Sequence, residues 1–255
     1  MADFNVPPYF DDFDENKGYY KILFRPSVAI QARELNQLQT NLQKQIERMG
    51  SHFFKEGTIV TGGAFDYENE VPYVKASSVS SQSRLQEFVG KVVVGGTSGL
   101  RAYIKAAELD TDTNNFVFML RYITSSEITS VFLNEEVVSV SDDATLTFTV
   151  AATSATGVGT TFAVSAGVVF SRGYFVAFQS DNVILDYYGR TPSATVGILI
   201  TESFATELTD SSLLDNALGS TNENAPGAHR FKIATDLVKF DYKKGYDNTD
   251  FIPLV

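Results

Sequence analysis

Cysteine and tryptophan are absent from this sequence, and histidine occurs only twice. Without cysteine there is neither a disulfide framework nor a thiolate metal site, a composition suited to synthesis in a reducing cytoplasm. The two histidines, His52 and His229, stand far apart with no second ligand type beside either, which argues against a zinc centre or a histidine-based catalytic group. Positive charge is also scarce: 20 Lys and Arg against 31 Asp and Glu give a net charge of -11. Such a surface repels phosphate backbones and anionic lipids, so nucleic acid is not expected as a partner. No run of about 18 apolar residues predicts a membrane span, and the opening MADFNVPPYFDD has neither the basic region nor the apolar core of a signal peptide.

What is present is enough chain, at 255 residues, to bury a core as one large domain or two small ones. Sustained helical period occurs in YFDDFDENKGYYKILFRPSVAIQARELNQLQTNLQKQIERMGSHFFKEG, residues 9–57. Counting in sevens gives Val28, Leu35, Leu42 and Met49, and the positions three further on are Gln31, Leu38 and Gln45. The spacing predicts a heptad seam with polar layers. Pro26 discourages helix before it, Ser27 offers a capping hydroxyl and Gly50 a left-handed stop. The helix is therefore expected at about residues 28–49, roughly 33 Å long. Periodicity alone fits equally an amphipathic helix lying on a sheet and identical helices packed about a symmetry axis. Gln31 and Gln45 favour the second, because buried amides need partners and identical chains supply them from the same residue in each copy. The flanking Glu34, Asn41, Arg48, Ala32, Gln39 and Ile46 form no charge code.

The run YFDDFDENK, then ILFRPSVAIQARELNQLQTNLQKQIERMGSHFFKEGTIVTGG, resembles the start of a domain family found in virion structural proteins of contractile-tailed bacteriophages, especially those infecting cyanobacteria. The resemblance returns in VGILITESFATELTDSSLLDNALGSTNENAPGAHRFKI, so it brackets most of the chain around a dissimilar middle. Such proteins are tail-fibre or baseplate-associated. The resemblance thus implies a virion structural protein made in the host cytoplasm, an N-terminal attachment module that anchors a homotrimeric fibre to the baseplate or tail. Its expected partners are further copies of itself and other tail or baseplate proteins, and the chain is expected to continue beyond Val255 into a longer fibre. No enzymatic activity, cofactor or metal is implied. A carbohydrate- or receptor-binding fibre module is the alternative, with a polysaccharide-degrading tailspike behind it.

Along the chain, residues 1–20 interleave Tyr9, Phe10, Phe13, Tyr19 and Tyr20 with Asp11, Asp12 and Asp14. A segment this short has no interior, so it reads as an arm whose rings lie on the core or on a neighbouring subunit, or else as a locally ordered loop. The stretch ASSVSSQS, 76–83, reads as a connector, as does AATSATGVGTT, 151–161. Between them the alternation of Leu100, Ala102 and Ile104 and of Phe116, Phe118 and Leu120 predicts strands with one buried face. Strands resume after residue 162, a short helix is expected at about 211–218 with Asp210 as its cap, and RFKIATDLVKF reads as a further strand.

The motifs that carry chemistry elsewhere fail here. Asp12, Asp14 and Asn16 imitate a calcium loop, but Lys17 stands where its glycine belongs and Leu23 where its glutamate belongs. Asp110, Asp112 and Asn114 fail in the same way at Asn115 and Arg121, and both read as turns. The glycines at 95, 96, 99, 157 and 159 match neither a phosphate loop nor a nucleophile elbow.

The expected fold is α+β, mainly β, with one long N-terminal helix packed with antiparallel sheets and a small inserted β-barrel or sandwich. Residues 1–85 supply the arm, the helix and the first part of an attachment core, 86–161 the insert and 162–255 the second part. The candidate oligomer interface is the seam Val28, Gln31, Leu35, Leu38, Leu42, Gln45 and Met49.

Overall fold

The alternating positions of the middle segment point into one core: Leu100, Ala102, Ile104, Phe118 and Leu120 are completely buried. Leu100 immediately precedes β4 (Arg101–Asp110), and the others lie in β4 and β5 (Asn115–Tyr122) of the computed structural model, which describes residues 2–124, 129–242 and 244–255. Around them, β2 (Phe65–Val79), β5, β4, β3 (Val92–Gly95), β6 (Val137–Val140) and β7 (Thr147–Val150) are hydrogen-bonded in that order, and β7 pairs back onto β2. The sheet therefore closes into a small six-stranded barrel. Its interior is filled by rings: Phe118 stacks on Phe148 at 4.3 Å and Phe88 meets Phe118 edge-on at 5.2 Å. A short 3-10 segment, Gln82–Phe88, brings Leu85 and Phe88 into that interior.

One loop of the barrel is tied down by Glu136. This buried carboxylate accepts the backbone N–H groups of Thr97 at 2.8 Å, Ser98 at 2.5 Å and Leu133 at 2.9 Å. Burial pushes its pKa up, but the amides of Ser98, Leu133 and Thr97 outweigh burial and hold it below the ordinary glutamate range.

The base beneath the barrel has three parts. Strand β8 (Thr156–Val164), flanked by β11 (Asp181–Asp186), continues the barrel sheet along the lower half of β2. Strands β1 (Thr58–Gly62), β9 (Gly167–Ser171) and β10 (Tyr174–Phe178) form a second sheet. A third places β12 (Ala194–Ala205) between β13 (Arg230–Asp241) and β14 (Phe251–Pro253). Phe162, Val169, Phe178, Val183, Ile198 and Ile252, contributed by all three sheets, share one buried cluster. The architecture is thus α+β and mainly β, with antiparallel sheets and one main helix, α1 (Ala32–Phe53).

Several local readings need correction. The small-residue stretches at 76–83 and 151–161 are largely strand: β2 runs to Val79 and β8 starts at Thr156. Ala76, Ser78 and Val79 pair with β7, and Gly157 and Gly159 with the earlier part of β2, opposite Tyr73 and Val71. Their small residues serve close packing, since a Cβ on Gly157 would stand 2.7 Å from the Tyr73 hydroxyl. The helix expected at 211–218 is a single 3-10 turn, Ser211–Leu213, although Asp210 does cap it, accepting from the Ser212 N–H at 3.0 Å.

Candidate assembly surface

The entry to α1 differs from the sequence reading. Ser27 does not cap it, because residues 25–28 form a turn, Val28 N–H donating to the Arg25 carbonyl at 3.4 Å. Pro26 takes the second place of that turn and Ser27, at φ 63°, the third, as in a type II turn. The helix starts at Ala32 with Gln31 as its cap, and Glu34 accepts the Gln31 backbone N–H at 2.9 Å. Val28 and Gln31 therefore precede the helix. At the other end Gly50 does not stop it: the helix continues to Phe53. Gly50 is buried against β9, where a Cβ would stand 2.4 Å from the ring of Phe170. The glycine is explained by close approach.

The polar side of α1 is the side that packs. Gln43 donates to the carbonyl of Gly173, at the tip of the β9–β10 hairpin, at 2.7 Å. Asn36 donates to the Tyr9 carbonyl at 3.0 Å, Gln37 donates to Asp12, Thr40 to the buried Asp11, and Arg48 to Glu15. These partners lie on the N-terminal arm, which runs along the helix and docks on the chain's own base. Phe4 meets Phe204 and Phe231 edge-on at 6.0 and 5.1 Å, and Tyr9 stacks on Phe204 at 5.2 Å.

The apolar side faces outward. Leu35, Leu38, Leu42, Ile46, Met49 and Phe53 are exposed by between 39 % (Leu38) and 68 % (Met49), and Gln45 between them is exposed as well. The helix is an inverted amphipath, its polar face satisfied by the arm and the hairpin and its leucine face bare. Of the seam read from sequence, Leu35, Leu38, Leu42, Gln45 and Met49 share this face. Ile46 and Phe53 extend it; their own spacing of seven was the signal that could have placed them there.

The remaining polar constellations hold the fold together. Tyr9 and His229 Nδ1 are hydrogen-bonded at 2.8 Å, and His229 Nε2 lies 3.2 Å from Glu207, a link across the chain that no local pattern announces. His52 sits exposed in the last turn of α1, its ring against Phe53. Where the barrel meets the base, Tyr187 donates to Glu108 at 2.7 Å, Tyr188 donates to Asp110, and Lys75 lies 4.0 Å over the Tyr188 ring. Burial, then the bond to Asp110, pushes the Tyr188 phenol up to about 12. The bonds from Thr113 and Tyr188 hold Asp110 below the usual carboxylate range. The two candidate calcium loops are turns: Asp14 accepts from the Asn16 N–H at 2.9 Å and Asp110 from the Asp112 N–H at 3.0 Å.

Among the described residues no three His, Asp or Glu side chains gather as a metal site requires, and no helix is long and apolar enough to cross a membrane. A crevice lined by Phe178, Asp181, Ile198 and Leu237 has a volume near 90 Å³, small beside the several hundred Å³ of ordinary ligand sites. The surface with the most unsatisfied chemistry is the outer face of α1.

Residues 7–95, from the arm through α1 and β2 to the end of β3, match the model of a family described as a domain of unknown function, DUF4815. No curated protein and no solved structure matches the chain.

Proposed function

We propose that this chain is a structural component of a bacteriophage tail or baseplate, and that copies of it associate through the outer face of α1, as a homotrimer, to attach a fibre. The observation that carries the reading is the inverted helix. Its polar residues are engaged one by one by the arm and the hairpin, while Leu35, Leu38, Leu42 and Met49 stay in contact with water. Monomeric proteins seldom leave an apolar patch of more than a few hundred Å² uncovered, and a row of this kind marks an interface. Exposed Gln45, between Leu42 and Met49, supplies the polar layer that fixes the register of identical helices. The filled barrel supports a role as spacer or contact surface. The sequence blocks that resemble virion proteins coincide with the arm, α1, β1, β12 and the start of β13, all outside the barrel.

Multi-angle light scattering on the purified chain tests the reading, with a trimer expected and a micromolar monomer overturning it. Leu42→Asp is the informative variant. Leu42 is 63 % exposed, so aspartate there costs the isolated subunit little. In an assembled seam the same charge would be buried at a cost of several kcal/mol, and the variant should run as a folded monomer.

A further inference from the structure

The geometry points to a recognition surface on the outer wall of the barrel, around Arg101, Tyr103 and Arg121, that takes an extended acidic segment of a partner protein. This surface is independent of α1 and stands whether or not copies associate through that helix. It begins with where the barrel keeps its positive charge. Residues 86–161 hold four Lys and Arg against nine Asp and Glu, and Lys91 is engaged by Asp142 at 2.8 Å. The other three meet on one wall. Ala102 and Ile104 point into the core, so Arg101, Tyr103 and Lys105 of β4 point outward. Arg121 of β5 stands directly opposite Tyr103, its guanidinium 5.9 Å from the ring centroid. Arg101 lies diagonally across from Arg121, with roughly 7–8 Å between their backbones.

Arg101 and Arg121 are exposed, and neither forms an ion pair among the described residues. Glu68, a carboxylate that reaches this wall, is taken by Lys105, and Arg121 acts on it only through space. Each free guanidinium offers a planar fork of N–H donors that matches a carboxylate. Their surroundings are apolar. Ile123, 51 % exposed, follows opposite Arg101, its N–H donating to the Arg101 carbonyl at 2.8 Å, and half-buried Val92 and Val94 of β3 stand opposite Tyr103 and Arg101. Carboxylates two residues apart on an extended segment project the same way with about 6.7 Å between them, close to the separation of the two arginines. An apolar side chain at the next alternate position then lies on Ile123 or on the Tyr103 ring, so charge and apolar contact are both matched. A nucleic acid fits less well, because it brings a charge at every phosphate to a chain of net charge -11 of which this wall is a small part.

Fluorescence anisotropy with the full chain tests this. The probes are a short labelled peptide with glutamate and valine in turn at its alternate positions and serine between them, the same peptide with glutamine for glutamate, and single-stranded oligothymidylate. The expected result is saturable binding of the glutamate peptide, weakened about fivefold by Arg101→Gln and by Arg121→Gln, and weakened in the wild type when salt is raised from about 0.05 M to about 0.5 M. Both arginines are exposed, so glutamine leaves the fold intact, as circular dichroism verifies. Lys232→Gln, at an exposed cation of β13, removes the same net charge elsewhere and should leave binding unchanged. Binding that neither arginine variant weakens, an equal loss in Lys232→Gln, equal binding of the glutamine peptide, preference for oligothymidylate, or no saturable binding up to about 1 mM overturns the inference. Light scattering reports association through α1 separately, so the two readings fail separately.

Discussion

Replacing Gly50 by alanine sets two effects of known size against each other. In an exposed helix the change is favourable by about 1 kcal/mol, because glycine is the poorer helix former. Here the added methyl would stand 2.4 Å from Phe170 Cε2 and 2.9 Å from its Cζ, well inside contact distance. Phe170 has little room to retreat: it is 2 % exposed and packed between Phe54 and Phe175, with ring centroids 6.0 and 5.2 Å away. Overpacking of this kind costs about 1–3 kcal/mol. The net expectation is a destabilisation of about 0–2 kcal/mol for Gly50→Ala and more for Gly50→Val. Urea unfolding at fixed protein concentration measures it, with Gln39→Ala on the exposed side of α1 as the control that reports propensity alone. Should Gly50→Ala exceed the wild type in stability by the full helix-propensity gain of about 1 kcal/mol, α1 does not lie against β9 as described. The glycine would then be a plain helix defect.

Glu136→Gln removes the carboxylate that gathers three backbone amides and should destabilise the protein by about 1–3 kcal/mol at neutral pH. Because the folded pKa of Glu136 lies below its unfolded value, its contribution is complete above roughly pH 5 and fades as pH falls through the folded value. The gap between wild type and variant in urea unfolding should therefore narrow on acidification, and a gap of the same size at pH 7 and pH 3 contradicts the assignment. Tyr9→Phe deletes the bond to His229, worth about 1 kcal/mol. Amide exchange across residues 9–12 should then accelerate about fivefold, and unchanged exchange would mean that the arm is held by its rings alone.

How much of this could be read in advance depends on what each pattern encodes. Alternation encodes which side of a strand is dry, so Leu100, Ala102, Ile104, Phe118 and Leu120 were legible as one core. Small residues encode only that little space is available, and a close strand pair leaves the same trace as a flexible linker. Gly157, opposite Tyr73, lies in a strand for that reason. Gly50 reads as a stop because helix ends favour glycine, and only Phe170, far along the chain, explains it otherwise. Ser27 was misplaced because a residue at φ 63° sits in a turn, a preference one serine cannot announce. His229 finds Tyr9 and Glu207 only once β12 and β13 have brought the ends of the chain together.

A heptad in a sequence says that one face of a helix is apolar, and the usual corollary is that the subunit buries that face. The corollary fails here because Asn36, Gln37, Thr40 and Gln43 each have a specific acceptor on the arm or the hairpin tip. Satisfied in this way, most of the polar face is covered without the penalty of unpaired groups, Asp11 Oδ1 being the buried oxygen left without a hydrogen bond there. The hydrophobic driving force of α1 is thus left unspent in the monomer. At about 25 cal/mol per Å², two facing stripes of roughly 600 Å² each represent at most about 30 kcal/mol, from which association takes about 4–15 kcal/mol in lost freedom and more in ordering side chains and desolvating polar groups. On this count the proposed helix seam leaves a favourable remainder by itself. In the proposed assembly the stripe carries that remainder, so Leu42→Asp, at one of its most exposed leucines, should give an oligomer that dissociates on dilution while the subunit stays folded.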